Sequence, residues 1–170
     1  MQITTNRLLI RKLTLNDAEF IFELLNQNSW KKYIGNKNIK TMEDAKQYLI
    51  DNPLKMYETH GFGLWCVTKL YSKQPLGIAG IVKRDTLPLI DIGFAFLDRF
   101  AGHGYAYEAC ESILKYTKAQ FHSEQILAIV KPENSKSIKL LDKLGFIFKE
   151  QVHLNPADDQ LNLMEKQLTT

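Results

Sequence analysis

The run Arg99-Phe-Ala-Gly102-His103-Gly104-Tyr105-Ala106 carries the clearest chemistry in this 170-residue chain. Gly102 and Gly104 have no Cβ, so the backbone can turn sharply there and bring its N–H groups close to a ligand. A helical pattern begins directly after them. Its first-turn N–H groups and positive end complete a seat for a phosphate or pyrophosphate. Arg99 adds a forked cationic donor beside it. The seat is not a P-loop, because Tyr105 and Ala106 stand where Lys and Ser or Thr would follow the second glycine. Nor is it a dinucleotide fingerprint, because Tyr107 stands where a third small residue is needed.

Asp91 lies one strand length before this loop, and strand alternation puts Asp91, Gly93 and Ala95 on one face and Ile90, Ile92 and Phe94 on the other. Asn134 opens a later helical pattern and is a favoured N-cap residue type. Cys66 and Cys110 form no C-x-x-C pair. His60, His103, His122 and His153 lack ligand spacing, so no metal is expected. Both cysteines read as small core residues of a reducing, cytoplasmic protein.

The elements that must position these residues follow from periodicity. Leu8-Leu9-Ile10 reads as a strand. Thr14 and Asp17 open a helix whose stripe is Phe20, Ile21, Leu24 and Leu25; Thr41 opens another, with Ala45, Tyr48 and Leu49 buried and Pro53 expected to end it. Residues 62–69, 76–82 and 90–97 are strand-like and follow one another as an antiparallel meander. A helix is predicted over 105–119, a strand over 125–130, and a helix over 134–143 closed by Gly145. A final antiparallel pair spans 147–154 and 161–168. No linker or repeat divides the chain, so residues 1–170 read as one α+β domain.

Composition is globular, with 45% hydrophobic and 24% charged residues. The net charge of +3 is dispersed along the chain, whereas nucleic-acid binders concentrate basic residues in a stripe. No apolar run follows the N-terminus and none approaches ~18 residues, so neither a signal peptide nor a membrane span is expected.

The sequence Arg99–Ala106 has the form R-x-x-G-x-G-x-A, which resembles the coenzyme A pyrophosphate loop of the GCN5-related N-acetyltransferases. Thr5-Asn6-Arg7-Leu8-Leu9-Ile10-Arg11 with Asp17 resembles the opening of the ribosomal-protein-alanine acetyltransferase branch. Asp91-Ile92-Gly93-Phe94 and Asn134 to Phe146 resemble its fourth strand and its last helix and turn. The resemblance implies a mixed, mostly antiparallel twisted sheet, flanked by helices and split at its centre to admit acetyl-coenzyme A. It implies backbone contacts from Phe96 and Leu97 to the pantetheine arm, a pyrophosphate seat from Arg99, Gly102, His103, Gly104, Tyr105 and Ala106, and an amide contact from Asn134.

Asp91 is then the candidate base and Ser137 the candidate proton donor, since Leu140, Leu141 and Asp142 stand where many members carry a tyrosine. The acceptor is a primary amine, either a protein N-terminal residue or a small amine such as a polyamine, amino acid or antibiotic. Its site is expected along Asn28–Lys37 and Leu54–Gly61, with Trp30, Tyr33, Met56 and Tyr57 lining it. The alternative is an acyl-coenzyme A sensor that binds without catalysis. A monomer or homodimer is expected in either case.

Overall fold

Along Leu64–Lys69, Trp65 and Val67 alternate with Cys66, and that alternation decides which layer each side chain joins. Trp65 and Val67 pack toward the long helix on one side of a sheet; Cys66 joins the helices on the other. The computed structural model describes residues 1–168. Its strands are β1 (Gln2–Thr4), β2 (Leu8–Arg11), β3 (Leu64–Lys69), β4 (Pro75–Val82), β5 (Asp91–Phe96), β6 (Gln125–Val130), β7 (Ile147–Val152) and β8 (Leu161–Gln167). They form one sheet in the order β1-β2-β3-β4-β5-β6-β8-β7, antiparallel throughout except for the parallel contact of β5 with β6. The expected meander is present. The short β1 strand, too brief to show a period, is an addition to it.

One face carries α5 (Tyr105–Phe121) and α6 (Ser135–Lys143), over a core that includes Trp65, Ile81, Ile92, Cys110, Ile113 and Leu141. The other carries α1 (Ala18–Asn26), α2 (Asn28–Tyr33) and α3 (Met42–Leu49), over Leu24, Leu25, Leu49, Ile78 and Leu97. Each fully buried leucine of this kind contributes about 2 kcal/mol of transfer free energy. Both cysteines are buried, as their residue type and period predict.

Thr41 opens α3 with a capping box: its Oγ1 accepts from Asp44 N at 3.1 Å and Asp44 Oδ2 accepts from Thr41 N at 2.9 Å. Asp17 plays the same part before α1, accepting from Thr14 N at 2.8 Å, and is buried against the Arg11 guanidinium at 2.8 and 2.9 Å. Pro53 does not end the helical segment as expected. The chain passes it in a π turn (Ile50–Leu54) and continues into α4 (Lys55–His60). A proline ring collides with the carbonyl four residues earlier in a regular α-helix, and the wider turn makes room for it.

Candidate active site

The sheet comes apart where β5 meets β6. Their pairing is registered only at Asp91↔Leu127, where Leu127 N donates to Ile90 O at 3.0 Å. Beyond that point β5 stays paired with β4 up to Gly77↔Phe96 but faces no strand on its other edge. Ile90 turns its carbonyl to β6, so the even-numbered residues carry the edge groups that face the split. Among the described residues, the N–H and C=O of Phe94 and the N–H of Phe96 have no partner. Leu97 corrects the sequence expectation. Its N–H donates to Leu76 O and its C=O accepts from Phe100 N, both at 2.9 Å, so it offers no free backbone group. Gln27, which the sequence did not single out, reaches across from the α1–α2 junction. Its Nε2 donates to Phe96 O at 2.8 Å and its Oε1 accepts from Asp98 N at 3.0 Å.

β5 leads through a 3-10 turn (Asp98–Phe100) into the glycine loop. Gly102 and Gly104 both have φ +79°, the left-handed region that side chains disfavour, and α5 begins at Tyr105. No N–H of residues 102–107 finds an acceptor among the described residues. The result is a row of convergent donors at the positive end of a long helix, able to hold a pyrophosphate.

Arg99 does not turn into this loop. Its guanidinium is tied to Glu23 on α1, with Nη2 donating to Oε2 at 3.3 Å, and lies over the Phe100 ring. The cation at the loop is Arg7, whose Nη1 donates to His103 O at 2.9 Å and whose Nε donates to Glu108 Oε2 at 2.6 Å. It also sits over the Tyr105 ring. His103 is turned back on the loop, its Nδ1 donating to Ala101 O at 2.9 Å, and its ring stacks on Tyr105.

Across the split, Asn134 caps α6, its Oδ1 accepting from Ser137 N at 3.3 Å. That cap leaves the Asn134 Nδ2 donors and the Ser137 hydroxyl without partners among the described residues, so capping and ligand contact are compatible in one side chain. Asp91 is buried at the vertex of the split, and Arg84 Nε donates to its two oxygens at 3.0 and 3.2 Å. Burial pushes the carboxyl up to about 6, against the opposing pull of Arg84 and Lys83. The β4–β5 connection seals it, as Leu87 packs on Leu127 and Leu163. Ile92 and Phe94 point to the α5 layer and Ala95 to the α1–α3 layer, so the predicted alternation holds.

Of the expected acceptor residues, Trp30 and Tyr57 are buried. The Tyr57 hydroxyl accepts from Leu13 N at 3.1 Å and donates to Leu64 O, while Met56 packs on the core. Tyr33 alone borders an opening, a cleft of about 440 Å³ that it shares with Lys32, Lys131, Pro132, Glu133, Asp159 and Gln160. Lys131 follows β6 and Glu133 precedes Asn134, which places the cleft at the mouth of the split. Lys131 Nζ joins its walls, donating to Lys32 O at 3.2 Å and Asp159 Oδ2 at 3.1 Å. The β7–β8 connection borders this cleft through Asp159 and Gln160, whereas Leu54–Gly61 does not. Among the described residues there is no cluster of His, Cys, Asp or Glu able to hold a metal, and no helix long and apolar enough to cross a membrane.

An open-edged strand running into a glycine loop at a helix head is the arrangement that the resemblance to the N-acetyltransferases implies. The chain matches the Acetyltransferase (GNAT) domain over residues 7–147. It is 31% identical over 147 residues to the N-acetyltransferase YnaD of Bacillus subtilis, an overlap that spans 85% of this chain and 82% of the relative. The fold superposes with a TM-score of 0.81 on a GNAT-family acetyltransferase from Bacillus anthracis, at 24% identity over 99% of both chains. It superposes equally, at 0.81, on the ribosomal L7/L12 alpha-N-protein acetyltransferase RimL in complex with coenzyme A, at 12% identity over 98% of both chains. The chain belongs to the GNAT acetyltransferase family and is by class an N-acetyltransferase. Its structural neighbours include the ribosomal-protein branch that its opening motif resembles.

Proposed function

We propose that the protein transfers the acetyl group of acetyl-coenzyme A to a primary amine by direct attack on the thioester. The observation that carries this is the free edge of β5 at Phe94 and Phe96, which leads straight into the unpaired N–H groups of residues 102–107. An extended pantetheine arm would add to that edge like a strand, and its pyrophosphate would meet the loop. Solved relatives that carry coenzyme A or acetyl-coenzyme A share the fold and support this reading.

The Asn134 Nδ2 donors would meet an arm amide, and a Phe94 or Phe96 N–H would polarise the thioester carbonyl and hold the developing oxyanion. The amine nitrogen bonds to the carbonyl carbon as the C–S bond breaks. At about 3.3 Å per residue, Asp91 lies roughly 10 Å along the strand from Phe94, so the amine proton reaches it through water. Ser137 would return a proton to the thiolate. The acceptor enters by the cleft at Tyr33, Lys131 and Asp159, and the buried cysteines fit a cytoplasmic setting.

The test is thermal unfolding with acetyl-coenzyme A beside NAD and ATP, followed by release of free thiol on adding amines. Ligand at a hundred times its dissociation constant stabilises by about 2.7 kcal/mol, a rise of roughly 5–11 °C for a domain of this size. No rise with acetyl-coenzyme A removes the coenzyme assignment. A rise without thiol release from any α-amine peptide or small amine makes the protein a sensor.

A further inference from the structure

Gln27 presents to β5 what a neighbouring strand would present, one donor and one acceptor aimed at groups two residues apart on the same edge. Its Nε2 donates to Phe96 O at 2.8 Å and its Oε1 accepts from Asp98 N at 3.0 Å. The residue is extended, with φ −70° and ψ 151°, and lies between the end of α1 and the start of α2. It is therefore held by two helices on the acceptor side while its amide reaches into the split. The free edge of β5 is bounded at one end by the Asp91↔Leu127 contact and at the other by this amide. Between the two, the N–H and C=O of Phe94 and the N–H of Phe96 have no partner among the described residues.

An extended arm with two amides can pair with a free strand edge in more than one register, because the edge repeats every two residues, about 6.6–7 Å. Blocking Phe96 O and Asp98 N removes the outer register and leaves the inner one. We propose that Gln27 is a positioning residue that sets the register of the acyl-coenzyme A arm on β5. By doing so it fixes where the acyl carbonyl stops and how long an acyl chain fits behind it. The inference rests on the reading that the arm adds to this edge. The link also runs through α2, whose Lys32 and Tyr33 border the acceptor cleft, so the same side chain keeps the two substrate sites in a fixed relation.

The experiment compares wild type with Gln27→Ala and Gln27→Glu. Gln27→Ala removes both bonds. Gln27→Glu keeps an acceptor for Asp98 N but sets a carboxylate oxygen against Phe96 O. The readouts are kcat and KM with acetyl-, propionyl- and butyryl-coenzyme A, the coenzyme A dissociation constant by calorimetry, and the unfolding midpoint. The expected result for Gln27→Ala is a fall in acetyl turnover of about tenfold or more, the scale of a misplaced reacting atom. Coenzyme A affinity should change by less than about threefold, because the loop at residues 102–107 still holds the other end of the molecule.

Preference for acetyl over butyryl should relax in Gln27→Ala, with Gln27→Glu falling between it and wild type. Unchanged acyl preference and turnover in both variants overturns the proposal. So does a parallel loss of turnover, coenzyme affinity and unfolding midpoint with acyl preference intact, which is the pattern of a plain structural brace. Failure of the wild-type protein to bind coenzyme A overturns the underlying reading itself, and is distinguished by the wild-type calorimetry alone.

Discussion

Replacing Asp91 with Asn tests the buried carboxylate through both stability and rate. Burial at the split's vertex raises its pKa from the ordinary 3.8 to about 6, with Arg84 opposing the shift. The folded chain then holds this proton more tightly than the unfolded chain does. The resulting stabilisation is full below about pH 4 and is lost as pH rises through about 6. A rise of that size is worth about 3 kcal/mol. The Asp91→Asn variant would carry no such dependence, and the pH-dependent part of the Arg84 contact is already contained in the shifted pKa. The unfolding free energy of wild type minus that of Asp91→Asn should therefore fall by about 2 kcal/mol between pH 4 and pH 7, most of the full shift.

Chemical denaturation of both proteins across that range is the assay, and the subtraction removes Asp17 and Glu108, which titrate in both chains. In the same variants, acetyl transfer by wild type should rise with pH through about 6 as the carboxylate ionises. Asp91→Asn should lack that limb. A stability difference that stays flat from pH 4 to pH 7 refutes the buried-carboxylate reasoning, and an unchanged rate limb removes Asp91 from the proton path.

Gly104→Val forces a β-branched side chain to φ +79° and puts its Cβ 3.4 Å from Arg7 Nη2. It should cost about 1–2 kcal/mol of stability and abolish the coenzyme-induced rise in unfolding midpoint. Asn134→Ser keeps a good N-cap but shortens the reach of the donor, so stability should hold within about 0.5 kcal/mol while the KM for acetyl-coenzyme A climbs. Gly80→Ala would place a Cβ 2.0 Å from the Gly63 carbonyl oxygen. Because the obstacle is backbone, denaturation should show a loss of about 3 kcal/mol or more.

Local signals place most of the elements. The stripes of α1 and α3, the meander from β3 to β5 and the Asn134 cap all follow from period, residue type and neighbours within four positions. What escapes them is set by contacts distant in sequence. Arg99 and Arg7 are equally basic on paper. Only the packing of α1 beside the loop shows that Glu23 draws Arg99 off, while Arg7 closes on His103. Gln27 and Arg84 sit in polar stretches with no motif, and their meaning comes from partners 69 and 7 residues away. The resemblance places both Phe96 and Leu97 on the open edge. The antiparallel bond to Leu76 takes Leu97 off it, since one residue reverses which edge a strand group faces. Pro53 misleads because a proline breaks a regular helix, whereas a π turn admits it.

If Asp91 is the base of the proposed transfer, its environment also bears on which amines would serve as acceptors. A proton moving from an α-ammonium, with pKa near ~7.7–8.0, to a carboxyl at about 6 climbs roughly 2–3 kcal/mol, whereas from a lysine near ~10.4 it climbs about 6 kcal/mol. An unburied aspartate would add about 3 kcal/mol to either. At pH 7 roughly one α-amine in ten is already neutral, against about one lysine in 2,500. Burial would therefore bring an α-amine within reach of the proposed water-relayed deprotonation. It leaves the lysine short by more than the Arg84-paired carboxylate can supply, since Arg84 pulls the carboxyl back down. Under the proposed transfer, with Asp91 as the base, such a site would favour N-terminal α-amines and weakly basic small amines. An acceptor of lysine-like basicity would need a second group in the cleft to lower its pKa; Lys131 there is already joined to Asp159, which leaves the Lys32 ammonium as the cation lining the cleft outside that pair.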